Sequence, residues 1–267
     1  MYLQGEPLKM AAQTNLSKSQ QWVLALGALL PASCCQRLNT LSTGESLEDM
    51  KIGLERWWGL HDRESYFEIE NSLSHLSSKK DYEAVWEEIR GSFKGYTCFN
   101  SKIKSAGNAL GYFGAGMHHA ATERSKTRRA IKKLNDLEVE INGSPLKEKF
   151  KTSMTWFSAL AYADIDARQV NNLSAWDIGR FIYISRNACE LGWINEFEYF
   201  ELCTPAAYLA QSSYSSWKDF LDANFVAAMM WNFDEERHRL FKAAHHRLLN
   251  EPASPMRVLP WNMDLQC

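Results

Sequence analysis

Apolar residues recur along most of this chain at three- and four-residue intervals, the spacing of one face of an α-helix. Leu47, Met50, Leu54 and the pair Trp57/Trp58 mark one such helix, and Tyr66, Ile69, Leu73 and Leu76 mark the next. The stretch KKDYEAVWEEIRG repeats the format and stops at Gly91. Beyond residue 145 the pattern resumes in LKEKFKTSMTWFSALAYADI, in SAWDIGRFIYISRNACELGW and in EFEYFELCTPAAYLAQ, and it continues in a long run from Trp217 to Leu249. Strand-like alternation is almost absent and no fixed-period repeat occurs. The fold class this predicts is all-α, a multi-helix globular bundle.

The helix ends are written in polar residues. Ser46-Leu-Glu-Asp49, Ser174-Ala-Trp-Asp177, Asn195-Glu-Phe-Glu198 and Ser216-Trp-Lys-Asp219 all have the spacing of a capping box. In that device the first side chain accepts an orphan amide and the acid three residues on reaches back. Gly59 and Gly192 are placed to end helices in the left-handed conformation. Pro205, inside an otherwise helical pattern, is expected to kink or end its helix.

Organisation follows from the same reading. Residues 1–91 form an N-terminal helical part. Residues 92–145 form an irregular Gly-rich and basic segment, closed by the turn signal Asn142-Gly-Ser-Pro145. Residues 146–250 form a C-terminal helical part, and 251–267 a non-helical tail with three prolines. The whole is also compatible with one domain at 267 residues. The apolar run Trp22–Leu30 is too short for a bilayer, which needs about 20 residues. It starts late, after a polar stretch containing Glu6, and matches a signal-peptide cleavage site poorly. It reads as a buried first helix, with no membrane span elsewhere.

Composition changes this picture little, but charge does. The net charge is −2, which excludes a general polyanion binder. Residues 45–88 nevertheless carry twelve acids against five bases, while 101–133 carry eight Lys or Arg against Glu123 alone. Such segregation marks either solvated faces or a partner surface. The six cysteines, Cys34, Cys35, Cys98, Cys189, Cys203 and Cys267, show neither metal spacing nor a disulfide framework. Their pattern predicts a reducing, cytoplasmic location.

Candidate chemistry is sparse. Asp177 reads as the acid of a capping box, favoured by the helix dipole. Arg180 falls on a helical wheel with Trp176, Tyr183, Ile184 and Leu191. Two readings stand for it: an ion pair with Asp177 that fixes packing, or an anion site on a pocket wall formed by Trp176, Asp177 and Arg180. His118-His119, Glu235-x-x-His238 and His245-His246 suggest metal. Adjacent histidines on a helix point about 100° apart, however, and no second Glu-x-x-His completes a di-metal set. No metal and no cofactor are predicted. The glycines 107–116 fit no phosphate-binding motif. The basic stretch Arg124–Lys133 could hold nucleic-acid phosphates, but it lacks interleaved aromatic residues. No Ser or Cys stands in an activated-nucleophile motif.

Three stretches together resemble the bacterial domain of unknown function 1266. They are QQWVLALGALL followed by LERWWGLHDRESY, then AWDIGRFIYISRNACELGWINEFEYF, then YSSWKDFLDANFVAAMMW. The ordered signature is Trp-Asp-x-Gly-Arg, Gly-aromatic-Ile and Ser-Trp-x-Asp-Phe, and it covers residues 20–90 and 150–235. The resemblance implies a soluble bacterial cytoplasmic protein without an established reaction. It also implies, by gene association, a neutralising or accessory role beside toxins. The matching positions Trp57, Trp58, Trp176, Asp177, Gly179, Arg180, Gly192, Ser216 and Trp217 read physically as caps, stops and packing.

The expected function is therefore a non-enzymatic protein-binding module, an immunity protein that occludes a toxin. Its contact surface is expected in the acidic region, with Glu64, Glu68 and Glu70, or in the basic one, with Arg124, Arg128 and Arg129. An enzyme or ligand binder built on Trp176, Asp177 and Arg180 is the alternative. Nucleic-acid binding through Arg124–Lys133 is the minor one.

Overall fold

Between residues 174 and 190 no polar face is wide enough to be kept in water, and the helix formed there is enclosed on all sides. The computed structural model describes residues 6–74, 83, 86, 140–141, 144–145, 165, 169–231 and 235–265. Within them the order is α1 (Lys18–Leu26), α2 (Leu29–Ser33), α3 (Leu47–Trp58), α4 (Arg63–Ser74), α5 (Ser174–Glu190), α6 (Glu196–Ser213), α7 (Trp217–Trp231), α8 (Glu235–Asn250) and α9 (Pro255–Val258). A two-residue antiparallel ladder pairs Glu140–Ile141 with Ser144–Pro145 at the expected turn. The protein is an all-α, multi-helix fold.

Helix α5 is the axis on which the rest is assembled. Helices α1 and α2 from the N-terminal part, α3 and α4 beyond them, and α6 and α7 from the C-terminal part all pack against it. Helix α8 closes over α2 and α7. The N- and C-terminal helical parts thus share one continuous core rather than two. Two crossings are close enough to require glycine. A methyl at Gly179 would fall inside the Asn224 amide of α7, and one at Gly27 would lie 2.9 Å from Ile182 Cγ2.

The early apolar run is buried as expected, from Trp22 to Leu30. Tryptophan supplies both bulk and a polar anchor here. Trp22, Trp217 and Trp261 pack together with ring centroids 4.8–5.1 Å apart. Their indole N–H groups donate to the carbonyls of Pro260, Leu259 and Tyr214. These bonds tie the C-terminal segment to the core, which corrects the expectation of a non-helical tail. Pro255–Val258 form a turn of helix capped by Ser254, and Leu259, Trp261 and Leu265 are buried. Pro205 does not end its helix: α6 continues through it to Ser213. Within the long run from Trp217 the described residues form α7 and α8.

The capping grammar holds at three of the four sites. Ser17 and Asn195 form complete capping boxes, the first of them not foreseen from the sequence. Ser46 and Ser216 accept the amides of Asp49 and Asp219, while the two carboxylates turn to Ser46 Oγ and to Ser215. Gly59 and Gly192 adopt φ of 70° and 75° and end α3 and α5. The fourth site, Ser174, departs from the expectation in a way that bears on function.

Candidate functional site

Ser174 is the first residue of α5 and not its cap, so no capping box forms there. The Ser174 amide donates to Asn172 Oδ1, and the Ala175 amide donates to the buried Tyr214 hydroxyl. With those donors satisfied by Tyr214, just past the end of α6, and by the preceding loop, the Asp177 carboxylate is released from cap duty. It turns inward, 1% exposed, and pairs with the Arg180 guanidinium one turn on, itself 6% exposed. The guanidinium lies over Trp176 and Trp58, 5.2 and 5.7 Å from the ring centroids. Asp177 Oδ2 has no hydrogen-bond partner. The pair is enclosed between aromatic rings.

A cleft of about 700 Å³ opens on the other side of Trp58, between α2, α3, α8 and the end of α7. Its wall includes Trp57, Trp58, Trp231, Met50, Leu54 and Leu240. Trp58 stacks on Trp231 at 5.4 Å with the planes 5° apart, and Trp57 stands 6.1 Å from the same ring. The polar lining is Cys34, Gln36, Glu45, Asp49, Glu236 and Arg237. Trp176, Asp177 and Arg180 are not among the lining residues. They lie behind the Trp58/Trp231 wall, which they brace through Trp176–Trp231 contact at 5.6 Å.

Helix α3 explains why the cleft is open. Its buried residues are Met50 and Leu54, Trp58 packs half-buried against the core, and Leu47, Ile52 and Trp57 are 52, 53 and 42% exposed. Asp49, Gly53 and Trp57, four residues apart, share the side that faces the cleft. A Cβ at Gly53 would meet nothing within 4 Å. A glycine in mid-helix costs roughly 0.5–1 kcal/mol against alanine, so this position leaves space at the expense of stability.

Burial sets the electrostatics of the cleft and its surroundings. Burial pushes the Cys34 thiol above its usual range, despite Arg237 Nη1 at 4.0 Å from the sulfur. Thiolate is the nucleophile, so this raises the barrier to its use. Burial also pushes Cys189 up to about 11 and raises Cys203. Cys34, Cys35, Cys189 and Cys203 are free thiols. Glu45 is held above the ordinary carboxylate range, first by burial and then by Asp49 and Glu190, against the Gln36 amide that donates to it at 2.5 Å.

Of the surface residues expected to meet a partner, Glu64 and Glu68 are exposed and Glu70 is half-buried. Arg63 of the same helix pairs with Glu198 at 2.7 Å and joins α4 to α6. Arg124, Arg128 and Arg129, the stretch Arg124–Lys133, the glycines 107–116 and His118-His119 lie outside the described residues. His245, one of the histidines considered for metal, is 1% exposed and bonded to Asp222 Oδ1 at 2.8 Å. Cys34, Glu45, Trp231 and Arg237 of the cleft were not foreseen. One signal pointed to them: Trp57 and Trp58 sit about 100° apart on a helix, so both cannot face one core.

No helix among the described residues is long and apolar enough to cross a membrane. Comparison with curated proteins and with solved structures found no match. Residues 53–261 match the family model described as protein of unknown function (DUF1266), a span that takes in the second half of α3, α4 to α9 and the Trp-Asp-x-Gly-Arg stretch, and the chain belongs to that family.

Proposed function

We propose that this chain is a non-enzymatic protein-binding module that receives a partner on α3 and in the cleft beside it. The observation that carries the reading is Gly53. A helix-interior glycine with no neighbour around its missing side chain lies on the wall of a cleft of about 700 Å³, next to an exposed tryptophan. Interface anchors are enriched in tryptophan and arginine, and Trp57 and Arg237 supply both at the rim. The raised thiol of Cys34 supports binding over nucleophilic catalysis. Occlusion of a toxin, as the family resemblance implies, is one form of this function. It asks for a shaped surface and no reactive group.

The test is site-specific photo-crosslinking from Ile52 in cells that produce the protein natively, with the same crosslinker at Glu68 as control. One discrete protein adduct from Ile52 is expected, absent from Glu68 and lost when Gly53→Leu fills the cleft. The reading fails if Ile52 gives no protein adduct, or if the adduct survives Gly53→Leu unchanged.

A further inference from the structure

We infer that the cleft is a site for an organic cation, a guanidinium or ammonium group carried on an apolar stem. The inference deepens the proposed function and rests on it in using the same cleft. It names the chemistry of the group received, whether a partner's basic side chain or a free small molecule carries it.

Charge selects the sign of the occupant. Glu45, Asp49 and Glu236 line the cleft against Arg237 alone, so an anion would meet three carboxylates. The aromatic walls select its type. Arg237 already lies over Trp57, 5.2 Å from the ring centroid, and Arg56 lies over the same ring at 5.4 Å from outside the cleft. Arg180 lies over Trp58 from behind. Tryptophan faces in this part of the molecule are thus used as seats for guanidinium groups. On the cleft side the seat is held by the protein's own Arg237, half-exposed on the first turn of α8, whose place over the ring an incoming cation can take.

Size and lining define the rest. A volume near 700 Å³ falls in the ordinary range for a ligand site and exceeds what one guanidinium fills. Leu30, Met50, Leu54 and Leu240 line the part an apolar stem would occupy. Glu45 couples the site to pH. Asp49 from α3 and Glu190 from α5 face it with like charge, Cys34 and Tyr183 sense its carboxylate, and Gln36 donates to it. A bound cation relieves this repulsion and favours ionised Glu45. Binding therefore releases a proton and strengthens as pH rises through the range in which Glu45 titrates.

The experiment is titration calorimetry of the full chain with agmatine, a guanidinium on a four-carbon amine, and with hexanoate as the anionic counterpart. Saturable binding of agmatine and none of hexanoate is expected. Trp57→Leu, at a largely exposed position, should weaken agmatine about tenfold, and Gly53→Leu should abolish it. Arg237→Gln should bind agmatine as tightly as the parent or up to about fivefold more tightly, since a competing cation has been removed. Glu45→Gln should flatten the rise with pH.

The inference is overturned if agmatine binds neither the parent nor Arg237→Gln, if Trp57→Leu binds unchanged, if Arg237→Gln binds tenfold more weakly, or if hexanoate binds in place of agmatine. An acetylated and amidated tripeptide with arginine between two leucines separates the carriers. Tighter binding than agmatine assigns the group to a protein partner, weaker binding to a small molecule. An Ile52 adduct without agmatine binding sinks this inference and leaves the protein-binding reading standing. Agmatine binding without an adduct does the reverse.

Discussion

Two arginines sit on tryptophan rings about one wall apart, and they do different work. Arg180 lies behind Trp58, 6% exposed and paired with Asp177 in the core. Arg237 lies in front of that wall, half-exposed, over Trp57 and beside Cys34. Both are guanidinium groups on indole faces, yet the first is enclosed with its carboxylate and the second is reached by solvent. The buried pair lies within the family match and packs behind Trp58; the half-exposed contact lines the cleft. Motif strength and functional access are thus separate properties in this molecule.

The largest effect expected from breaking this contrast is at Arg180. Arg180→Ala leaves the Asp177 carboxylate buried with neither oxygen paired, and should cost about 3–5 kcal/mol in urea denaturation. The apolar double variant Asp177→Leu/Arg180→Met should recover most of that loss. If Arg180→Ala instead costs less than about 1 kcal/mol, Arg180 is not a packing element and a ligand role for it returns.

Next in size is the close crossing of α5 and α7. Gly179→Ala drives a methyl into the Asn224 amide and should cost about 1–3 kcal/mol, read as a lower denaturation midpoint at unchanged slope. Gly53 should behave in the opposite way. Gly53→Ala on α3 has open space and an ordinary helical backbone, so it should stabilise the protein by about 0.5–1 kcal/mol. Opposite signs at two helical glycines would sharpen the distinction between a glycine demanded by packing and one kept for space. A loss of stability at both would remove it.

The smallest effect is a pH slope. Glu45 has its folded-state pKa raised above its ordinary 4.5, so the native state holds the proton more tightly than the unfolded one. Its contribution to stability is present below that value and is lost as pH rises through the folded pKa. The Glu45→Gln variant should therefore gain on the parent as pH rises above about 4.5, and denaturation curves at several pH values would show it. A flat difference would mean that Glu45 is well solvated and that the cleft does not raise it.

Much of the fold was legible because helices announce themselves locally. The side-chain caps at Ser46, Asn195 and Ser216 and the stops at Gly59 and Gly192 follow from groups within four residues of one another and formed as read, with the full capping box completed at Asn195. Ser174 failed for the complementary reason. Its helix start is satisfied by Tyr214, 39 residues away from Ala175 along the chain, which no local spacing can encode. The C-terminal segment was misread because prolines suggest an arm, whereas three indole N–H groups dock it. The cleft was the least legible part. Its lining comes from positions 30 to 58, 183 and 231 to 240, and Cys34, Glu45 and Arg237 carry no motif.

By itself the sequence determined the class of fold, the positions of most helix ends and the family, because each depends on side-chain period and short-range hydrogen bonding. Only the tertiary structure decided that Asp177 and Arg180 are enclosed while Trp57 and Arg237 face open space. That division depends on which helix faces meet, and burial is a property of the assembled core rather than of any stretch along the chain.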